Sequence, residues 1–124
     1  MIKIKHFMDN AEPEDGRRIW VEPFGLTADL RQWCQVHHVL CHVAPPRELW
    51  EWFQNHPRGY DFFRGRYHQW LKLGPYKEAL LQLVVDAQRE NITLLHQGDQ
   101  PNENSAMALY EYLGELEAYI PREP

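Results

Sequence analysis

Between Asn91 and His96 the chain reads Ile92-Thr93-Leu94-Leu95, a short unbroken run with polar residues on both sides. A surface strand alternates apolar and polar residues. A run without alternation belongs where both faces are covered, so 92–95 is expected as a central strand. That placement constrains everything else, because the cover on each face has to come from helices and loops of the same chain.

The segments on either side supply such cover. Ile2 to Phe7 alternates, with Ile2 and Ile4 on one side and Lys3 and Lys5 on the other, the signature of a half-buried strand. Ala11 to Gly16 is a polar turn, and Arg17 to Glu22 reads as a second strand that Pro23 and Gly25 end. Thr27 can cap a short helix from Ala28 to about Cys34, with Asp29 in its first turn. Val36 to Val43 mixes valines and histidines before Pro45-Pro46 and is expected to be extended.

Three helices follow. Pro46 suits a first helical position, Leu49, Trp52 and Phe53 share a face, and His56-Pro57 closes the helix. Tyr60, Phe63, Tyr67, Trp70 and Leu71 repeat at helical spacing up to Gly74-Pro75. Tyr76, Ala79, Leu80, Leu83, Val84 and Ala87 give a third apolar stripe. After the 92–95 strand comes a loop, His96 to Glu103. A last helix then runs from about Asn104 to Tyr119, with Ala106, Leu109, Tyr110, Leu113, Leu116 and Ile120 inward and 122–124 as a frayed tail. Five Trp, six Tyr and five Phe give enough bulk to fill a core between so few elements. The expected fold is therefore α/β. It is a single compact layered domain over residues 1–124, with a small mixed or mostly parallel sheet flanked by about five helices.

Charge narrows the range of partners. Thirteen basic and eighteen acidic residues leave a net charge of −5, which speaks against a basic stripe for tracking phosphates and so against nucleic-acid binding. No stretch approaches the roughly 20 apolar residues that cross a bilayer, so no membrane partner is expected. Met1 to Lys5 holds no apolar run of signal-peptide length, and two cysteines make no disulfide framework; a cytoplasmic location is the expectation.

Three groups of residues have chemistry worth following. The first is the loop after the 92–95 strand, with His96, Gln97, Asp99, Asn102 and Asn104. In open α/β sheets ligands sit at the carboxyl ends of strands, and the start of the next helix suits an anion. The same residues also shape turns, and Asn102 or Asn104 can cap the helix. The second is Cys34, His37, His38, Cys41 and His42, five metal-ligating side chains within nine residues. On a helix His38 and His42 would share a face. On a strand such pairs lie about 13 Å apart, too far for one ion. The third is Asp15-Gly16-Arg17-Arg18, where an Arg at a strand start can hold a carboxylate or phosphate, or simply form a salt bridge. No G-x-S-x-G, H-E-x-x-H or C-x-x-C motif occurs.

Three stretches together resemble one family. They are Ile2-Lys3-Ile4 with Glu14 to Val21; Val43-Ala44-Pro45-Pro46, Glu48-Leu49 and Trp52-Phe53 with Phe63 and Tyr67; and Thr93-Leu94-Leu95 with Asn104, Ala106, Leu109 and Tyr112-Leu113. The set is similar to the YeaO-like branch of the family catalogued as domain of unknown function number 488. The resemblance implies a compact α/β domain and no established activity or cofactor. It matches Arg18 to the Arg of a D-G-x-R strand start, Asp99 to an acidic residue after a strand, and Asn104 to the Asn opening the last helix.

The chain also departs from that family. An Asp-Arg pair and a Trp-Pro-Arg-Gly turn are usual after the second strand, but Glu22-Pro23-Phe24-Gly25 stands here, with neither arginine. The usual Ala-Pro-Ser is Ala44-Pro45-Pro46, and a His before the helix-opening Asn is Glu103. A metal-binding protein that uses the Cys34 to His42 cluster is one functional expectation, and two others follow. One is a non-catalytic binding or interaction domain with a degraded site, whose partner or second copy in a homodimer would use the exposed side of the middle helices. The other is a protein for a small anionic ligand, a nucleotide or phosphate ester. There Arg18 would hold the anion, Asp99 would act as base or metal ligand, Asn104 would orient the ligand, and Asn102 and His96 would lie beside them.

Overall fold

A computed structural model describes residues 1–120. The proposed tail at 122–124 lies outside them. In chain order the elements are β1 (Ile2–His6), β2 (Arg17–Trp20), α1 (Ala28–Trp33), β3 (His38–Val39), α2 (Arg47–Asn55), α3 (Tyr60–Leu73), α4 (Lys77–Ala87), β4 (Ile92–His96) and α5 (Ser105–Glu117). The sheet runs β1-β4-β2-β3, with every pairing parallel. The apolar run at 92–95 forms β4, and β4 lies between β1 and β2, buried along its whole length. Among the described residues, no helix is long and apolar enough to cross a membrane.

The period-two rule divides β4 between two environments. Ile92 and Leu94 join Ile19, Val21 and the helices in the larger core, where Phe53, Phe63, Tyr67, Leu80, Leu109 and Leu113 are buried and Ile2 and Ile4 pack against them. Leu95 turns to the other face, against Trp20 and Val36, with Phe7, Leu26, Cys34 and Val39 around them. Thr93 shares that face, and its hydroxyl donates to the Asp15 carbonyl at 2.8 Å.

Local chemistry sets the helix starts. The Thr27 hydroxyl accepts from the Leu30 N–H, and the Asn104 side chain accepts from the Met107 N–H at 2.8 Å, each answering an amide that the first helical turn leaves free. Pro46 precedes the first residue of α2 as its N-cap.

Three expectations need correction. The segment 36–43 is extended only at His38–Val39. It then turns through a 3₁₀ segment, Cys41–Val43, because β3 is an edge strand with two paired residues and no second neighbour to prolong it. Ala79 is exposed on α4. Tyr110 points outward on α5, while Ala108 and Tyr112 are buried instead. The buried arc of α5 is shifted because α3 also covers it. The His68 ring is hydrogen-bonded to the Ala108 carbonyl and lies 5.3 Å from the Tyr112 ring.

A polar centre lies on the second face. The Asp15 carboxylate, fully buried, accepts from Arg18 Nη1 at 2.7 Å, from Lys5 Nζ at 3.0 Å and from the Glu12 N–H at 3.1 Å, with Lys3 Nζ at 3.4 Å. Arg18 is equally buried. Its Nε donates to the Cys34 carbonyl and its Nη2 to the Asp9 carbonyl. Burial pushes the Asp15 carboxyl up, but Lys5, the Glu12 amide and Arg18 outweigh it and hold its pKa at about 2. Gly16, with φ at +60°, makes this geometry possible: a Cβ there would stand 1.9 Å from the Asn91 carbonyl oxygen, which accepts the Arg17 N–H that starts β2.

Two stability predictions follow. Asp15→Asn leaves Arg18 buried without its counter-charge, and urea denaturation at neutral pH should show a loss of about 3–5 kcal/mol. Because the folded pKa is depressed, the wild type holds this stabilisation above the ordinary carboxylate pKa. It gives up about 2 kcal/mol as pH falls from the ordinary value toward 2, a slope the variant should lack. Gly16→Ala forces a left-handed residue against the Asn91 carbonyl and should cost about 1–3 kcal/mol of stability or more, seen as a lower urea midpoint; an unchanged midpoint would refute the role given to this glycine.

Candidate functional site

All four strands run the same way, so their carboxyl ends gather at one edge of the sheet, where α/β folds place ligands. A cavity of about 390 Å³ opens there. Glu22, two residues past the end of β2, lies at its base. Residues of the loop after β4, from Gln97 to Asn104, form one wall, Trp50 and Phe53 of α2 form the other, and Ser105 closes it at the start of α5.

Glu22 is 2% exposed, yet it is a carboxylate. Its Oε2 accepts from the Trp50 indole N–H at 3.0 Å and its Oε1 from the Gln97 N–H at 3.2 Å; the Ser105 hydroxyl is a third hydrogen-bonding neighbour. Burial raises its pKa and these donors pull it back only in part, so the net shift is upward. Every one of these partners is neutral. Asp99 and Glu103 bring two more carboxyl groups to the rim, and among the described residues no Lys or Arg lines the cavity.

The structure brings some of the expected site residues together and separates others. Asp99 and Asn104 line the cavity. Asn104 is buried, and both ends of its side chain are hydrogen-bonded within the loop and helix start. It caps α5 through Oδ1, and its Nδ2 donates to the Gln100 carbonyl at 2.7 Å, which holds the loop in shape. Asn102 is exposed and does not line the cavity. His96 faces an adjoining groove with His6, Asp9 and Asp99. Its ring meets the His6 ring edge-on at 5.4 Å, and burial first, then His6, pushes its pKa down. Arg18 is not at the cavity, because its guanidinium is locked onto Asp15.

The cysteine–histidine segment does not converge either. The Cys34 side chain packs beside Trp20 and Val36, while the His37 Nδ1 accepts from the Arg18 N–H at 3.0 Å. His38 stands exposed on β3, and Cys41 and His42 are exposed on the 3₁₀ turn. The helix that would have aligned these pairs is not formed. Among the described residues no three His, Cys, Asp or Glu side chains gather as metal donors.

Glu22, Trp50, Phe53 and Glu103 escaped the sequence reading of the site. For Glu22 a signal was present. The strand-end rule that drew attention to the residues after 92–95 applies equally to the first residues after β2. Trp50 and Phe53 gave no such signal, since the apolar stripe of α2 reads simply as core.

Comparison with known proteins adds the family. Uncharacterised proteins of Mycobacterium bovis and of two strains of Mycobacterium tuberculosis are each 30% identical to this chain over 74 residues, 55% of this chain. The chain spans 58% of the length of these relatives. No solved structure matches it significantly. The family model described as the inactive DUF488-N3 subclade matches residues 1–119, nearly the whole sequence, and the chain belongs to that subclade.

Proposed function

We propose that this chain is a non-catalytic binding domain that retains the strand-end cavity of its fold as a ligand site. The observation that carries the reading is the charge of the cavity: Glu22, Asp99 and Glu103 line it, and no Lys or Arg does so among the described residues. A nucleotide or phosphate ester would meet three carboxyl groups and no counter-charge, which costs binding free energy instead of supplying it. The subclade's description as inactive supports the same reading.

The anionic-ligand alternative draws no support from this arrangement. It needs Arg18, Asp99 and Asn104 at one ligand, whereas Arg18 pairs with Asp15 and the Asn104 side chain is committed to the helix cap. The loss of both arginines after β2 agrees with a site that no longer holds a phosphate.

Thermal unfolding with millimolar inorganic phosphate, AMP and p-nitrophenyl phosphate tests this. A specific ligand present at about 100 times its Kd would add about 2.7 kcal/mol of stability. None of the three is expected to raise the Tm, and p-nitrophenyl phosphate should be hydrolysed no faster than in buffer. Turnover that disappears in Glu22→Gln would overturn the proposal.

A further inference from the structure

We propose that the cavity between Glu22 and Trp50 is a receptor for an organic monocation, a primary ammonium or guanidinium group, with Glu22 as its counter-ion. The inference rests on the binding-domain reading and adds the ligand class.

The argument starts from the contrast between two buried carboxylates. Buried charges in proteins are paired or coordinate a metal. Asp15 follows the rule, with Arg18 and Lys5 in contact. Glu22 is as deeply buried, but its contacts are an indole N–H, a backbone N–H and a hydroxyl. These satisfy its oxygens as hydrogen-bond acceptors and leave its charge unanswered. Arg47, on the same helix as Trp50, pairs with Glu51 at 2.9 Å and lies over the Phe24 ring, and it does not line the cavity.

The walls match a cation in a second way. The Trp50 indole is fixed by its hydrogen bond to Glu22 and by an edge-on contact with Phe24 at 4.4 Å, so the ring is held in place at the cavity wall. Phe53, whose ring stacks on Phe63 at 4.4 Å in the core, adds apolar lining beside it. An aromatic face beside a carboxylate attracts ammonium and guanidinium groups through the ring quadrupole. Asp99 and Glu103 at the rim lower the potential of the approach and favour entry of positive charge.

The same geometry selects an organic cation over a metal ion. Each Glu22 oxygen accepts one protein N–H, and the acceptor capacity left on the carboxylate suits a single N–H donor of an organic cation better than the roughly six to eight oxygen ligands a hard metal ion collects. The aromatic wall is likewise poor company for a hard, hydrated cation.

Titration of the full chain, followed by the Trp50 indole N–H resonance, provides the test. The probes are butylguanidinium, neutral butylurea and anionic pentanoate. Butylguanidinium should shift the resonance to saturation and bind at least tenfold tighter than butylurea, and pentanoate should leave the resonance in place. Glu22→Gln should weaken butylguanidinium at least tenfold. Because that variant also changes a buried site, Asp99→Asn with Glu103→Gln serves as a second one on exposed positions. It should keep the wild-type Tm, weaken butylguanidinium severalfold and flatten its salt dependence.

An acetylated and amidated Gly-Arg-Gly peptide separates the two sources of such a cation. Tighter binding than butylguanidinium assigns it to a partner's arginine side chain, weaker binding to a free small molecule, and either supports the charge assignment. If butylurea or pentanoate saturates the resonance as well as butylguanidinium does, the cation assignment is overturned and the binding-domain reading stands. If no probe moves the resonance, the cavity is not the ligand site and both fall. Phosphate-ester turnover would overturn the binding-domain reading and, with it, the inference that rests on it.

Discussion

The buried Asp15 carboxylate and the Arg18 guanidinium hold together parts of the chain that otherwise have little reason to meet. Asp15 ends the turn before β2 and Arg18 lies within β2. Lys3 and Lys5 come from β1, the Thr93 hydroxyl on the Asp15 carbonyl comes from β4, and the Cys34 carbonyl comes from the end of α1. Isolated buried ion pairs repay their desolvation poorly. This one is supplemented at nearly every remaining polar position, by Nε and Nη2 donating to carbonyls and by the Glu12 N–H donating to Asp15. The second face of the sheet carries only a small apolar cluster around Trp20 and Leu95. There the polar centre fixes the register that apolar packing fixes on the other face.

From that register the site follows. Arg18 pairs across to Thr93 and Trp20 to Leu95, so β2 and β4 reach their carboxyl ends together, and Glu22 arrives beside Gln97. The backbone amide of one loop then answers the carboxylate of another, and α2 completes the enclosure with the Trp50 indole. The cavity opens where parallel strands end at one edge, between the loop after β4 and α2. The polar bend after β4 is shaped by Asn104, whose side chain joins the Met107 amide to the Gln100 carbonyl.

What the sequence disclosed depended on how far each feature's causes lay along the chain. The run at 92–95, the stripes of α2 to α5 and the caps Thr27 and Asn104 have local causes, and each can be read within a few residues of itself. β3 could not be read this way. Its two paired residues depend on the neighbouring strand, not on the valines and histidines around them. Arg18 was visible as a strand-start arginine, but whether it meets a ligand or Asp15 depends on the turn that Gly16 allows. Glu22 was visible as a departure from the family's Asp-Arg pair. Its burial was not, because the groups that bury it come from α2, the loop after β4 and the start of α5.

Asp15 and Glu22 together show how this chain treats negative charge. Both are carboxylates taken out of water close to β2, and burial acts on both in the same direction. For Asp15 the Lys5 ammonium, the Glu12 amide and the Arg18 guanidinium together reverse that effect and its pKa falls; for Glu22, with neutral donors alone, the net shift stays upward. The first arrangement is electrostatically complete within the chain and belongs to the architecture. The second has each oxygen hydrogen-bonded and is incomplete in charge, beside a cavity with an aromatic wall. A fold that tolerates such a residue forgoes stability at that point, and desolvated carboxyl groups in clefts are enriched at functional sites.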